Sequence, residues 1–404
     1  MAIVKPFPAL RPAKDLAAKI CELPYDVVSA AEARQIAAGN SLSFFHVSKP
    51  EIDFPPDADP HQPAVYSRGR NNFWHLMAIE ALHPDPHPCF YLYRQVMGAH
   101  VQLGLVAVAS CEDYQRNLIK KHELTRPDKE DDRVQHIDIL SAQTGPVFLT
   151  YRSRPALQAF FDQLASTPPE IDFVAADGVR HSSWTVANPE DIRRIEAEFA
   201  GIPTLYIADG HHRSAAACRV WQNRHGSGES AFFLSVIFPE NQMRILPYNR
   251  LLSDLNGRSP SALLERMAEV FEIRTPGHPE PAAKHEVGLY LEGKWRGLRF
   301  HNRLIPNGKP VESLDASLLQ NLVLAPIFDI QAPRTSQRIQ FVGGIRGTKE
   351  LEDEVNSGKY ACAFSMYPTC IEDLMNVADA HDIMPPKSTW FEPKLRDGMF
   401  GHLI

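Results

Sequence analysis

Two short stretches hold most of the residues that could do chemistry. The first is LYIADGHHRSAAACRV, residues 205–220. An apolar run ends in Asp209 and Gly210, and His211, His212 and Arg213 then open what reads as a helix. Cations in a first helical turn face the positive end of the helix macrodipole, which costs roughly a few tenths of a kcal/mol each. A bound anion would reverse that sign. Strand, Asp-Gly, then a basic helix start is a phosphate-holding layout. The free amides of a helix N-terminus accept an anion, glycine lets the backbone come close, and an arginine offers a planar fork to phosphate oxygens. The plain alternative is an Asp209 cap paired with Arg213 beside two surface histidines. Adjacent histidines at a helix start point in different directions, so a metal shared by His211 and His212 is disfavoured.

The second stretch is KKHELTRPDKEDDRVQH, residues 120–136. Both charge signs are densely mixed, which by itself reads as a solvated, salt-bridged loop and helix start. The sharper reading needs a carboxylate beside basic groups. Such a carboxylate takes the proton of an alcohol while cations hold phosphates. Glu123, directly after His122, is the candidate. The common nucleotide fingerprints, GxxxxGK[ST] and GxGxxG, are absent. FVGGIRGT, residues 341–348, reads as a plain strand, turn and helix.

The elements that must position these residues are legible in outline. Ser29 with Glu32 forms a capping box before a short helix, SFFHVS reads as a strand, and residues 66–82 form a helix anchored by Trp74, Leu76, Met77, Ile79 and Leu82. CFYLYRQVM and VQLGLVAVAS make a hairpin, and GPVFLTYR, SWTVA, TLYIA and AFFLSVIF are further strands. Helices follow Pro155, Pro189 and Gly210. Beyond Gly257 come a helix, a hairpin around Gly293, a helix capped by Asp315, and a tail ending MPPKSTWFEPKLRDGMFGHLI. The expected fold class is α+β. An N-terminal α+β extension spans 1–94, a mixed-sheet core spans 95–256, which the family resemblance given below implies to be nucleotide-binding and to carry an insertion, and a C-terminal α+β region spans 257–404.

At 404 residues the chain is long enough for two or three domains. Its 44% hydrophobic and 23% charged content is that of an ordinary globular protein. A net charge of −7 and the lack of a recognisable helix-turn-helix count against nucleic acid as a partner. No run of about 18 apolar residues predicts a membrane span, and the N-terminus lacks a signal-peptide core. Six dispersed cysteines without a CxxC pair read as reduced thiols, so a cytoplasmic location is expected.

ADGHHR together with the earlier KHE resembles the ParB/sulfiredoxin-like fold in its free-serine kinase version. The resemblance implies a nucleotide-dependent phosphotransferase that uses ATP or ADP, with Mg2+, to convert free L-serine to O-phospho-L-serine. It implies that Glu123, with His122, is catalytic and that Asp209, Gly210, His211, His212 and Arg213 hold the nucleotide phosphates. Mg2+ would join through them or through Asp209, with no metal ligand assigned from the residues themselves. The 85 residues from 124 to 208 exceed the family's spacing, so the segment from YRSRPALQ to IRRIEAEFAG would have to loop away from the core. ILPYNR is similar to a segment that helps hold serine, which implies substrate roles for Tyr248, Asn249 and Arg250. From PYDVVS to MPPKSTWFEPKL, the chain also resembles the family called domain of unknown function 1015. The expected partners are a small-molecule substrate and a nucleotide, with a homo-oligomer allowed and no membrane.

A non-catalytic nucleotide-binding module of ParB type is the alternative to the kinase. Sulfiredoxin-like redox chemistry would need Cys218, which falls on the buried side of its helix. Lys387, Ser388 and Thr389 could line an anionic site, or the proline-rich tail could simply be pinned by Trp390 and Phe391. Asp26 reads as a turn residue or a ligand for a substrate ammonium.

Overall fold

The computed structural model describes residues 1–404. The chain divides into two compact units, one of Met1–Met243 with Pro393–Ile404 and one of Arg244–Glu392. Residues 393–404 thus belong to the first unit although they end the chain.

The first unit is α+β, built on a nine-stranded mixed sheet. Its strands run in the order Ile119–Lys120, Leu205–Asp209, Val147–Tyr151, Phe232–Pro239, His100–Ser110, Phe90–Met97, Arg180–Val186 and Ile171–Val174, with Val4–Lys5 paired off His100–Ser110. Two of the pairings are parallel: Leu205–Asp209 with Ile119–Lys120, and Phe232–Pro239 with Val147–Tyr151. The central strands are near-continuous apolar runs because helices cover the sheet, and Leu105, Leu149, Ile207, Phe161, Phe199 and Val220 share one core. The expected hairpin is present as Phe90–Met97 and His100–Ser110, and helices run Pro155–Leu164, Pro189–Ala200 and His211–Asn223.

Four local expectations are corrected. SFFHVS is not a strand: Phe45–Ser48 is a helical turn. That turn sends Phe44 and Val47, three apart, into one apolar cluster and Phe45 into another with Ile52, which a strand's two-residue alternation could not do. In the helix Pro63–Ala78 the buried face is Val65, Tyr66, Gly69, Phe73 and Leu76, whereas Trp74 is 50% exposed. The segment from Tyr151 to Gly201 does not loop away. Arg180–Val186 pairs along its length with Phe90–Met97, and the two helices around it feed Leu157, Phe160, Ile195 and Phe199 into the core. Asp315 does not cap its helix, since Leu314 holds that position and makes no side-chain cap. Asp315 instead accepts hydrogen bonds from the backbone N–H of His285 and pairs with its ring.

The second unit is a six-stranded antiparallel sheet in the order Phe271–Arg274, Lys294–Phe300, Glu286–Leu291, Cys362–Met366, Tyr248–Leu252 and Ile339–Gly343. A core of Leu263, Met267, Leu289, Leu319 and Phe364 lies beneath it. No helix of the chain is long and apolar enough to cross a membrane.

Candidate functional site

The two motifs meet because two strands run parallel. Leu205 pairs with Ile119 and Tyr206 with Lys120. Neighbouring parallel strands end on the same side, so the chain leaving Lys120 and the chain leaving Asp209 emerge together. The carboxyl ends of such strands are where open sheets commonly take ligands. Here a carboxylate oxygen of Glu123 and one ring nitrogen each of His122 and His211 lie within 4.8 Å of one another. The rings of His122 and His211 meet edge to face at 4.4 Å. The backbone N–H of His122 points at Nε2 of His211 at 3.4 Å, and that of Arg126 donates to Nε2 of His212 at 3.0 Å. Through these two contacts the loop after Lys120 clasps the start of helix His211–Asn223.

That helix start is shaped for an anion. Gly210 sits at the N-cap with φ 97°, in the left-handed region, and supplies no side-chain cap. A Cβ there would lie 3.3 Å from Nε of Arg213 and 3.4 Å from Cα of Val147, close but tolerable contacts, so it is the backbone conformation that requires glycine. The first intrahelical bond runs from Ser214 N–H to Gly210 O, which leaves the amides of His211, His212 and Arg213 without helical acceptors.

The charges around this start are arranged in depth. Asp209 accepts from the Gly210 N–H at 2.8 Å and from Nζ of Lys394 at 3.0 Å. Burial alone would raise its pKa, but Lys394 and Arg213 hold its carboxyl well below the usual range. Arg213 is buried. Its Nη1 donates to Pro146 O at 2.6 Å, and its Nη2 lies 3.5 Å from Asp26 and 3.9 Å from Asp209. The guanidinium therefore braces the turn from behind instead of projecting from it. Burial pushes the His122 ring down to about 4 and that of His211 well below its ordinary value, so both are neutral near pH 7. Neither ring nitrogen of the buried His122 has a hydrogen-bond partner of ordinary geometry.

Behind the turn, Tyr25, Arg133, Gly145, Arg213 and Asp397 line a cavity of about 30 Å³, room for one or two waters. Arg133 stacks on the Tyr25 ring at 3.9 Å. The PYD segment thus forms the floor of the site, with Asp26 paired to Arg213.

Mg2+ does not fit at Asp209. Both carboxylate oxygens are engaged, and a lysine and an arginine already crowd the group with positive charge. The cluster of His122, Glu123 and His211 is a two-nitrogen, one-oxygen donor set, which suits borderline transition cations better than Mg2+.

A family model for "Protein of unknown function (DUF1015)" matches residues 4–317. The chain belongs to this family. No curated protein matches it. Among solved structures, a free serine kinase in complex with AMP is 14% identical, with 71% of this chain and 86% of that one covered and a TM-score of 0.36. A conserved hypothetical protein from Pyrococcus furiosus is 14% identical over 73% of this chain and 93% of its own, with a TM-score of 0.36. SbnI with C-terminal truncation from Staphylococcus aureus is 10% identical over 72% and 85%, with a TM-score of 0.39. These likenesses are distant and assign no activity.

The expected site residues fall into two groups. His122, Glu123 and Asp209 to Arg213 come together in the first unit. Tyr248, Asn249 and Arg250 stand on the strand Tyr248–Leu252 of the second. Asn249 Oδ1 accepts from Met366 N–H at 3.0 Å, and Lys387 Nζ reaches the Tyr248 hydroxyl at 3.3 Å. Trp390 meets Tyr248 edge to face at 5.2 Å, so the tail aromatic packs inward. Cys218 is buried, and burial with the neighbouring Cys111 pushes its thiol up, away from nucleophilic thiolate. Lys394 is the residue that sequence reasoning missed. Its signal was a single lysine after Pro393, 185 positions from the carboxylate it pairs with.

Proposed function

We propose that the first unit is a nucleotide-dependent phosphotransferase acting on a small hydroxylated metabolite, with free L-serine as the acceptor and its mixed sheet as a ParB/sulfiredoxin-like core. One observation carries the reading: the Glu123 carboxylate stands within 4.8 Å of His122 and His211 nitrogens, at the mouth of an uncapped helix N-terminus. A base and an anion seat are the two parts that phosphoryl transfer most needs, since its catalysis is mainly positioning and charge stabilisation.

In this reading the amides of His211, His212 and Arg213 hold the terminal phosphate, aided by the helix dipole. Arg213 contributes charge from behind and, with Lys394, fixes Asp209 and hence the Gly210 turn. The acceptor hydroxyl attacks the terminal phosphorus, its proton passes to Glu123, and the shortened nucleotide leaves. His122 and His211, both neutral near pH 7, flank Glu123.

The test is direct. The purified chain is incubated with Mg2+, ATP or ADP, and a pool of amino acids and sugars, and products are read by mass spectrometry. O-phospho-L-serine formed with loss of one nucleotide phosphate supports the reading. Nucleotide binding with no phosphorylated product from any acceptor would replace it with the non-catalytic module.

A further inference from the structure

The second unit contains a cavity of about 240 Å³ that the phosphotransfer reading does not use. One wall is the helical face carrying Ala316, Gln320 and Leu324, spaced four apart and therefore in line. The helix loosens to a π turn over Gln320–Leu324, a distortion found often beside functional sites. Phe341 also lines the cavity, and Arg334 stands exposed among the lining residues.

Arg250 opens into this cavity and is unusual in its surroundings. It is only 4% exposed, yet no carboxylate lies within ion-pair distance of it. One nitrogen, Nη1, donates to the backbone carbonyl of Tyr248, and the guanidinium lies 5.5 Å from the Phe341 ring centre. The acid that acts on it from a distance, Asp315, is engaged by the backbone and ring of His285. Burial accordingly pushes the Arg250 pKa down to about 10. A buried guanidinium without a counter-ion is costly, and a cavity at its side is where a counter-ion would come from. Gln320 adds a second open valence. Its amide N–H donates to Ile330 O at 2.8 Å, while its buried Oε1 has no partner.

We propose that this cavity binds a small organic anion, with a carboxylate or phosphate on Arg250, an apolar body against Phe341 and Leu324, and a hydroxyl or N–H donating to Gln320 Oε1. No acidic residue lines the cavity, so it offers nothing to the ammonium of a zwitterionic amino acid. The site is therefore distinct in chemistry from a serine pocket, and the inference stands independently of the phosphotransfer reading.

Isothermal titration of the full chain with mandelate, phenylacetate and phenyl phosphate tests it, with benzyl alcohol as the uncharged control. Saturable binding of one anion per chain is expected, with none for benzyl alcohol; the carboxylates and phenyl phosphate distinguish the two charged groups. Arg250→Met should weaken the binding at least roughly tenfold, the order of a lost charged hydrogen bond. Should that variant fail to fold, Ala316→Phe fills the cavity while leaving the guanidinium, and it should abolish binding equally. Gln320→Leu should remove the advantage of mandelate over phenylacetate. Absence of anion binding to the folded chain, or binding that Ala316→Phe leaves unchanged, would overturn the proposal.

Discussion

Nζ of Lys394 lies 3.0 Å from Oδ2 of Asp209, joining the end of the chain to the strand that carries the phosphate-type turn. The lysine side chain is 9% exposed and the carboxylate 29%. Asp209 in turn holds the Gly210 N–H at 2.8 Å. The tail thereby fixes the geometry of the turn, and a change at residue 394 should be felt at residue 210.

Lys394→Met is expected to destabilise the first unit by about 3 kcal/mol, the low end for breaking a buried pair, because Asp209 keeps some solvent. Combining it with Asp209→Asn should recover part of the loss, since no buried charge is then left alone. Urea unfolding of the two single variants and the double one measures this. A Lys394→Met variant as stable as the parent would show that the pair is not coupled to folding.

Glu123→Gln should leave nucleotide affinity in place and lower product formation by roughly 10²–10⁴-fold, the usual contribution of a positioned general base. Calorimetric nucleotide binding and turnover are compared on the same preparation. Turnover equal to the parent's would remove Glu123 from the chemistry.

Gly210→Ala forces a side chain into φ 97° and against Nε of Arg213. A cost of about 1–3 kcal/mol is expected from the backbone alone. Nucleotide affinity should fall at least tenfold while circular dichroism stays that of the folded chain. Unaltered affinity would mean that the anion seat is elsewhere.

Stability should fall on mild acidification. Burial lowers the pKa of His122, His136 and His402 to about 4, and holds that of His181 and His211 well below the ordinary value. Below the ordinary histidine pKa of about 6.5 the unfolded chain takes up protons that the folded chain refuses. Stability is therefore full above about pH 6.5 and declines as pH falls toward 4, by about 1.4 kcal/mol per pH unit for each such histidine. Asp397 acts in the opposite sense. Burial raises it to about 7, so the folded chain binds its proton first, and this offsets one histidine between pH 7 and about 4. Melting temperatures from pH 7.5 to 5 check the net sign, and a flat profile would contradict the burial of these rings.

The local elements were legible because short-range physics decides them. The capping box of Ser29 and Glu32 forms as read, with Ser29 Oγ accepting from Glu32 N–H and the Glu32 carboxylate accepting from Ser29 N–H. The strand ending at Asp209, the left-handed Gly210 and the helix with its run of buried alanines were written in residues 205–220. These follow from apolar periodicity, glycine's access to positive φ, and side chains that reach the backbone two or three residues away.

Tertiary structure decided the rest. Ile119–Lys120 is a strand of only two residues, too short to show a period, and only its parallel pairing with Leu205–Asp209 brings Glu123 to His211. The same chain between them joins the sheet through Arg180–Val186, although its length suggested an excursion. Residues 209–213 show that Arg213 can fork onto an anion or pair with Asp209, but only the fold sets its donation to Pro146 O and its place beside Asp26 and Asp209. Sequence specifies what each residue can do within about one helical turn. Which distant carboxylate a lysine meets, or which strand lies beside another, depends on burying the whole apolar surface at once. No local pattern encodes that sum, and the pairing of Lys394 with Asp209, 185 positions apart, is one of its results.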